Sequence, residues 1–182
     1  MRASPANAVV CIIDVQERLL AAMPDAARVV SRCLRLAEAA GILGVTALCS
    51  EQYPRGLGPT APALAARLPA AIEKMAFSCC GCAGFLEAFP AAAHAAVLAG
   101  LETHVCVAQT ALDLLGRGLA VSVCVDAVTS RHRIDHEVAL RRLEAAGVEL
   151  TTTEAVLFEW CRSAEHPRFR EVRELVLERE PT

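Results

Sequence analysis

Ala8-Val9-Val10-Cys11-Ile12-Ile13-Asp14 is a nearly unbroken apolar run that ends abruptly on a carboxylate. Such a run suits a strand buried on both faces, as in a parallel sheet. Working outward from it, β-rich runs alternate with helical patterns. After the break at Met23-Pro24-Asp25, the residues Ala26, Val29, Cys33, Ala37 and Ala40 recur at helical spacing, with Asp25 placed to cap the helix and Gly41 to end it. Val45 to Ser50 reads as a second strand, and the Pro- and Gly-rich stretch Glu51 to Pro62 as a loop. Ile72-Glu73-Lys74 is a short third strand and His94 to Leu98 a fourth.

A helix from about Thr103 to Gly116 follows, with Val105, Ala108, Leu112 and Leu115 on one face. Ala120 to Val125 is a fifth strand running into Asp126, Asp135 to Ala146 a helix, and Val148 to Thr151 a sixth strand. Phe169, Val172 and Val176 mark a last helix that docks on the body or on a neighbouring subunit. This alternation predicts an α/β fold: a doubly wound three-layer sandwich, Rossmann-like, around a mostly parallel six-stranded sheet. The chain of 182 residues is expected to form a single domain over residues 1–182.

Hydrophobic residues make up 54% of the chain, much of it alanine, which argues against disorder and leaves apolar surface for a homo-oligomer. The formal charge of -3, with both signs interspersed, gives no basic face for nucleic acid. No apolar stretch reaches the roughly 18 residues of a membrane span, and the N-terminal stretch lacks the marks of a targeting signal. The expectation is therefore a cytoplasmic protein with no membrane or nucleic-acid partner. Nine cysteines, an odd number with Cys11, Cys49 and Cys124 inside apolar runs, read as small buried hydrophobes in a reducing compartment.

In doubly wound folds the reacting groups gather at the carboxyl ends of the strands. Asp14 ends the first strand, where its plainer role is to cap the Gln16-Glu17-Arg18 segment. Lys74 ends the third strand, a place where lysine is ordinarily a solvated surface group. Cys106 falls in the first turn of the helix after strand four, where N–H groups and the helix dipole favour a thiolate. A thiol requires a base, a carboxylate can supply it, and an ammonium beside both stabilises the charges. The three together are a nucleophile, a base and a cation on one edge.

The motifs Cys11-Ile-Ile-Asp14-Val-Gln16, Lys74-Met-Ala-Phe77-Ser78, Gly100-Leu-Glu-Thr103-His-Val-Cys106-Val and Asp126-Ala-Val-Thr-Ser130-Arg131 resemble the isochorismatase-like cysteine hydrolases. The likeness runs from about residue 8 to 178, and Glu51-Gln-Tyr-Pro-Arg-Gly-Leu-Gly58 is most similar to the isochorismatase domain-containing subgroup. The resemblance implies an Asp14–Lys74–Cys106 triad that cleaves an amide or related bond of a small molecule through an acyl-enzyme. It also implies a cis peptide between Leu101 and Glu102, with the N–H groups of Glu102 and Cys106 forming an oxyanion hole, and Gln16, Glu51, Tyr53, Phe77 and Thr103 as substrate-binding residues.

Nicotinamidase-like members carry metal ligands soon after strand two. Here Gln52 and Pro54 stand in their place, so no metal and no cofactor are expected. Cys79-Cys80-Gly81-Cys82 lacks the second distant pair of a structural zinc site and reads as pocket lining or packing. His132 and His136 read as a solvated helix start, and the role of His104 stays open. Two other functions compete with the hydrolase: an oligomeric scaffold that retains the fold, and a nuclease. The near-neutral charge, the single Trp and the single Tyr weigh against the nuclease.

Overall fold

The computed structural model describes residues 3–177. Six strands form one sheet: β1 (Ala8–Ile13), β2 (Thr46–Gln52), β3 (Ile72–Lys74), β4 (Ala95–Leu101), β5 (Ala120–Thr129) and β6 (Glu149–Thr151). Their order is β3-β2-β1-β4-β5-β6, and every adjacent pair is parallel. The chain winds one way from β1 to β3 and the other way from β4 to β6, so the switch point lies between β1 and β4.

The helices are α1 (Glu17–Leu20), α2 (Ala26–Leu43), α3 (Pro54–Leu57), α4 (Pro62–Ala65), α5 (Ala83–Glu87), α6 (Ala108–Gly116), α7 (Arg133–Ala145), α8 (Thr153–Cys161) and α9 (Phe169–Leu177). Alternation along β1 sorts the core into two layers. Val10 and Ile12 pack with Leu36 of α2, Trp160 of α8 and Val172 of α9. Val9, Cys11 and Ile13 face Leu114 of α6, Leu143 of α7 and Phe85 of α5. This is the expected three-layer sandwich. Among the described residues no helix is long and apolar enough to cross a membrane.

Several boundaries differ from the sequence reading. Helix α2 runs past Gly41 to Leu43, because Ile42 and Leu43 still pack on the core, and Gly44 at φ 73° ends it. Asp25 occupies the N-cap position but makes no capping hydrogen bond; its carboxylate pairs with Arg28 at 3.2 Å. Strand β5 continues past Asp126 to Thr129, pairing Val128 and Thr129 with Gly100 and Leu101 after a register shift. The loop after β2 contains α3 and α4 and is tied to Gln16 through a bridge at Thr60.

The segment expected to be one helix from Thr103 is a π-wound turn, Thr103–Val107, leading into α6. Gly100 makes the switch point possible. At φ 121°, a Cβ there would sit 2.0 Å from the Ile13 carbonyl oxygen, so only glycine lets β1 and β4 approach this closely.

Candidate active site

Asp14 leaves β1 in the left-handed region (φ 52°), a conformation that aspartate tolerates better than most residues. The backbone is held there by its N–H donating to the Ser50 carbonyl at 3.1 Å and its C=O accepting from Gln16 N–H at 2.8 Å. The carboxylate meets Ser50 and Lys74 and does not cap α1, whose N-cap is Gln16. Asp14 is fully buried; Ser50 Oγ donates to Oδ1 at 2.8 Å and Lys74 Nζ to Oδ2 at 2.7 Å.

Lys74 is buried as well, at 4% exposure, which decides against a solvated role. Its ammonium also donates to Gln52 Oε1 at 2.7 Å and to the Phe77 carbonyl at 3.0 Å, with Ala76 O at 3.4 Å. Burial works against the charged amine, but the Asp14 charge and hydrogen bond outweigh it, and the ammonium pKa is raised.

Cys106 lies in the π-wound turn, and its thiol feels both the Asp14 carboxylate and the Lys74 ammonium. Its pKa departs from the expected lowering. Burial pushes the thiol up, the Asp14 charge adds to that push, and the opposing pull of Lys74 is smaller. The surroundings of Cys106 therefore favour the protonated thiol over the thiolate. The peptide Leu101–Glu102 is cis. The turn is wound wide, with Val107 N–H donating to the Glu102 carbonyl at 3.2 Å, a geometry that recurs at functional sites.

The five residues assigned to substrate divide into two groups. Gln16 is fully buried, and its carboxamide is spent on backbone: Nε2 donates to Gln52 O (3.1 Å) and Gly58 O (2.7 Å), while Oε1 accepts from Gln52 N–H (2.8 Å). Glu51 accepts from Thr60 N–H (2.6 Å) and Oγ1 (2.7 Å), and with Cys49 and Leu68 it lines a separate cavity of about 100 Å³. Strand alternation puts it on the face opposite Ser50 and Gln52. Thr103 is fully buried, with its hydroxyl 2.9 Å from His136 Nδ1. Tyr53 (48% exposed) and Phe77 (54%) are open to solvent on the segments flanking Lys74.

Sequence reasoning missed Ser50 and Gln52, which hold Asp14 and Lys74. Their spacing of two along β2, on the face Asp14 occupies, was the available signal. It also took His136 for a solvated residue, whereas it is half-buried against Thr103. His104 Nδ1 lies 3.0 Å from Ser130 Oγ, and Glu102 accepts from Arg131 Nε at 2.8 Å. The three neighbouring cysteines go separate ways: Cys79 donates to Ser50 Oγ (3.5 Å), Cys80 is buried, and Cys82 donates to Glu73 O (3.7 Å). Among the described residues no His, Cys, Asp or Glu side chains form a metal-holding group of three or more.

Comparison with known proteins gives one answer. The isochorismatase domain model matches residues 8–155. Isochorismatase domain-containing protein 2 of Bos taurus is 40% identical over 181 residues, covering 99% of this chain and 88% of its own. A structure described as the MAR1 ribonuclease of Caenorhabditis elegans is 37% identical with a TM-score of 0.92, covering 100% of this chain and 95% of that one. The YcaC gene product of Escherichia coli, described as an octameric hydrolase of unknown specificity, is 26% identical with a TM-score of 0.83, covering 96% and 94%. The strand-end motifs, the doubly wound sheet and these matches converge: the chain belongs to the isochorismatase domain family.

Proposed function

We propose that this protein is a cysteine hydrolase that cleaves the amide C–N bond, or a related bond, of a small molecule. One observation carries the reading. The Cys106 thiol lies beside a carboxylate and an ammonium that are themselves paired at 2.7 Å, near the switch point of the sheet. The raised thiol pKa suits a proton transfer that accompanies attack.

In the proposed cycle, Asp14 takes the Cys106 proton as sulfur bonds to the carbonyl carbon, and the C=O electron pair moves to oxygen. The N–H groups of Glu102 and Cys106 receive that oxyanion, each donor contributing on the order of 3 kcal/mol. Collapse breaks the C–N bond, and the departing nitrogen takes the proton from Asp14. Water then gives a proton to Asp14 and attacks the thioester; the acid leaves and the thiol is restored. Lys74 keeps Asp14 ionised between steps. Tyr53 and Phe77 flank the entrance and contact substrate, whereas Gln16, Glu51 and Thr103 act through the backbone and side chains they hold.

The same reading takes the chain as one hydrolase domain, since both cores lie on a single sheet, and as a homo-oligomer, in line with the octameric description of the E. coli relative. Nine free cysteines fit a reducing cytoplasm.

The test is a screen of small aliphatic and aromatic amides with the wild-type protein and Cys106→Ala, with intact-mass trapping of the acyl-enzyme. Turnover that needs Cys106, with an acyl adduct on its peptide, is the expected result. Hydrolysis that survives Cys106→Ala sinks the covalent mechanism. The C. elegans neighbour's description favours a second reading, a ribonuclease. The net charge of -3 opposes it, and strongly salt-dependent RNA binding would restore it.

A further inference from the structure

The turn that presents Cys106 is tied from outside by three successive side chains, each to the segment that follows β5. Glu102 pairs with Arg131, Thr103 with His136 and His104 with Ser130. The ties differ in how much water reaches them. Arg131 leaves 54% of its side chain exposed, so its pair with Glu102 is screened. Thr103 and Ser130 are buried and their partners His136 and His104 half-buried, so these two ties are sheltered, and the one through Thr103 is the one that reaches into α7. Burial pushes the His136 imidazole down, with Arg28 adding to the push against Asp25 and Glu137. The ring is therefore neutral at neutral pH and bonds Thr103 without burying a charge. A π-wound turn is held less tightly by its own backbone than an α-helical one, so an external anchor matters more here than in a regular helix.

We infer that His136 is a positioning residue: through Thr103 it holds the turn that aims Cys106 and the N–H groups of Glu102 and Cys106 at the reacting carbonyl. The inference rests on the cysteine-hydrolase reading. His136 touches neither the thiol nor the substrate in this role, and its contribution is to the register of the 102–106 backbone.

Two measurements test it. In the first, p-nitrophenyl acetate acylates Cys106. The S–C bond forms, the thiol proton passes to Asp14, the ester C–O bond breaks, and nitrophenolate leaves. His136→Ala lowers the acylation rate constant at saturating ester by about tenfold while half-saturation stays put. His136→Asn, whose amide falls where Nδ1 stood, restores the rate. Wild-type acylation by the Ala variant overturns the inference, as does an Asn variant as slow as Ala.

The second measurement is amide hydrogen exchange, which needs no chemistry at Cys106. Faster exchange over 102–107 in His136→Ala, with 95–101 unchanged and the Asn variant like wild type, supports the anchor. Unchanged exchange over 102–107 overturns it. If the ester reaction survives Cys106→Ala, the cysteine reading fails and exchange alone decides whether His136 anchors the turn.

Discussion

Two aspartates lie at the carboxyl side of the sheet, and their surroundings are opposite in kind. Asp126, in β5, is boxed in by groups that close a joint between layers. Oδ1 accepts from Thr153 N–H (2.8 Å) and Oγ1 (3.1 Å), Oδ2 pairs with Arg32 (3.3 Å), and its carbonyl accepts from Arg28. It fastens the start of α8 and the first turns of α2 to the sheet. Asp14 has comparable partners in Ser50 and Lys74, but its third neighbour is the Cys106 thiol, which the proposed cycle has it deprotonate. A carboxylate at a strand end is thus not a signal of chemistry in itself. What separates the two is whether a proton donor with a reactive conjugate base stands within reach.

That contrast can be broken at four points, taken from the largest effect down. Cys106→Ala removes the proton partner of Asp14, and amide turnover drops to the uncatalysed background; hydrolysis assays beside thermal unfolding check that the fold persists. Asp14→Asn keeps the shape and removes the base, so turnover falls about 10³-fold, equivalent to about 4 kcal/mol in the barrier. A loss no larger than that of the corresponding Asp126→Asn variant would erase the distinction.

Alkaline pH acts on the whole interior. Cys49 and Cys79 are pushed up to about 11, in each case chiefly by burial, whereas an unfolded thiol titrates near ~8.5. The fold holds these protons more tightly than the unfolded chain does. Their contribution is therefore fully present below ~8.5 and is lost as pH rises toward the folded value. The two together remove about 3 kcal/mol by pH ~9.5, read as a lowered urea midpoint. A flat midpoint from pH 8 to 10 would contradict this burial pattern. Last, Asp126→Asn costs about 2 kcal/mol of stability through weakened charge-assisted hydrogen bonds, and leaves turnover per folded molecule unchanged.

The legible part of the site is the part carried by local pattern. Asp14 and Cys106 follow strands in sequence and Lys74 ends one, and the family resemblance implies their pairing. What the pattern could not show are partners that lie far along the chain. Gln16 meets residues 36 and 42 positions on, and Thr103 meets one 33 positions on. The hydrogen bonds of a polar side chain beside such a motif are set by the packed chain and not by its neighbours in sequence. Glu51 is a related case, since its motif membership says nothing about which sheet face it occupies. The thiol pKa shows the same limit, because helix position argued for lowering while burial and the adjacent carboxylate decide for raising.

By itself the sequence determined the alternation of strands and helices and the three-layer α/β class, and it singled out the three residues proposed to react. Apolar runs, helical spacing and strand-end polar residues are local, and local physics acts on them directly. Only the tertiary structure decided that Gly100 lets β1 and β4 close on one another, that Ser50 and Gln52 hold the ion pair, and that the Thr103 hydroxyl meets His136. Those outcomes depend on which groups meet after the chain is packed and on how much water remains between them, and neither is written in the spacing of residues along it.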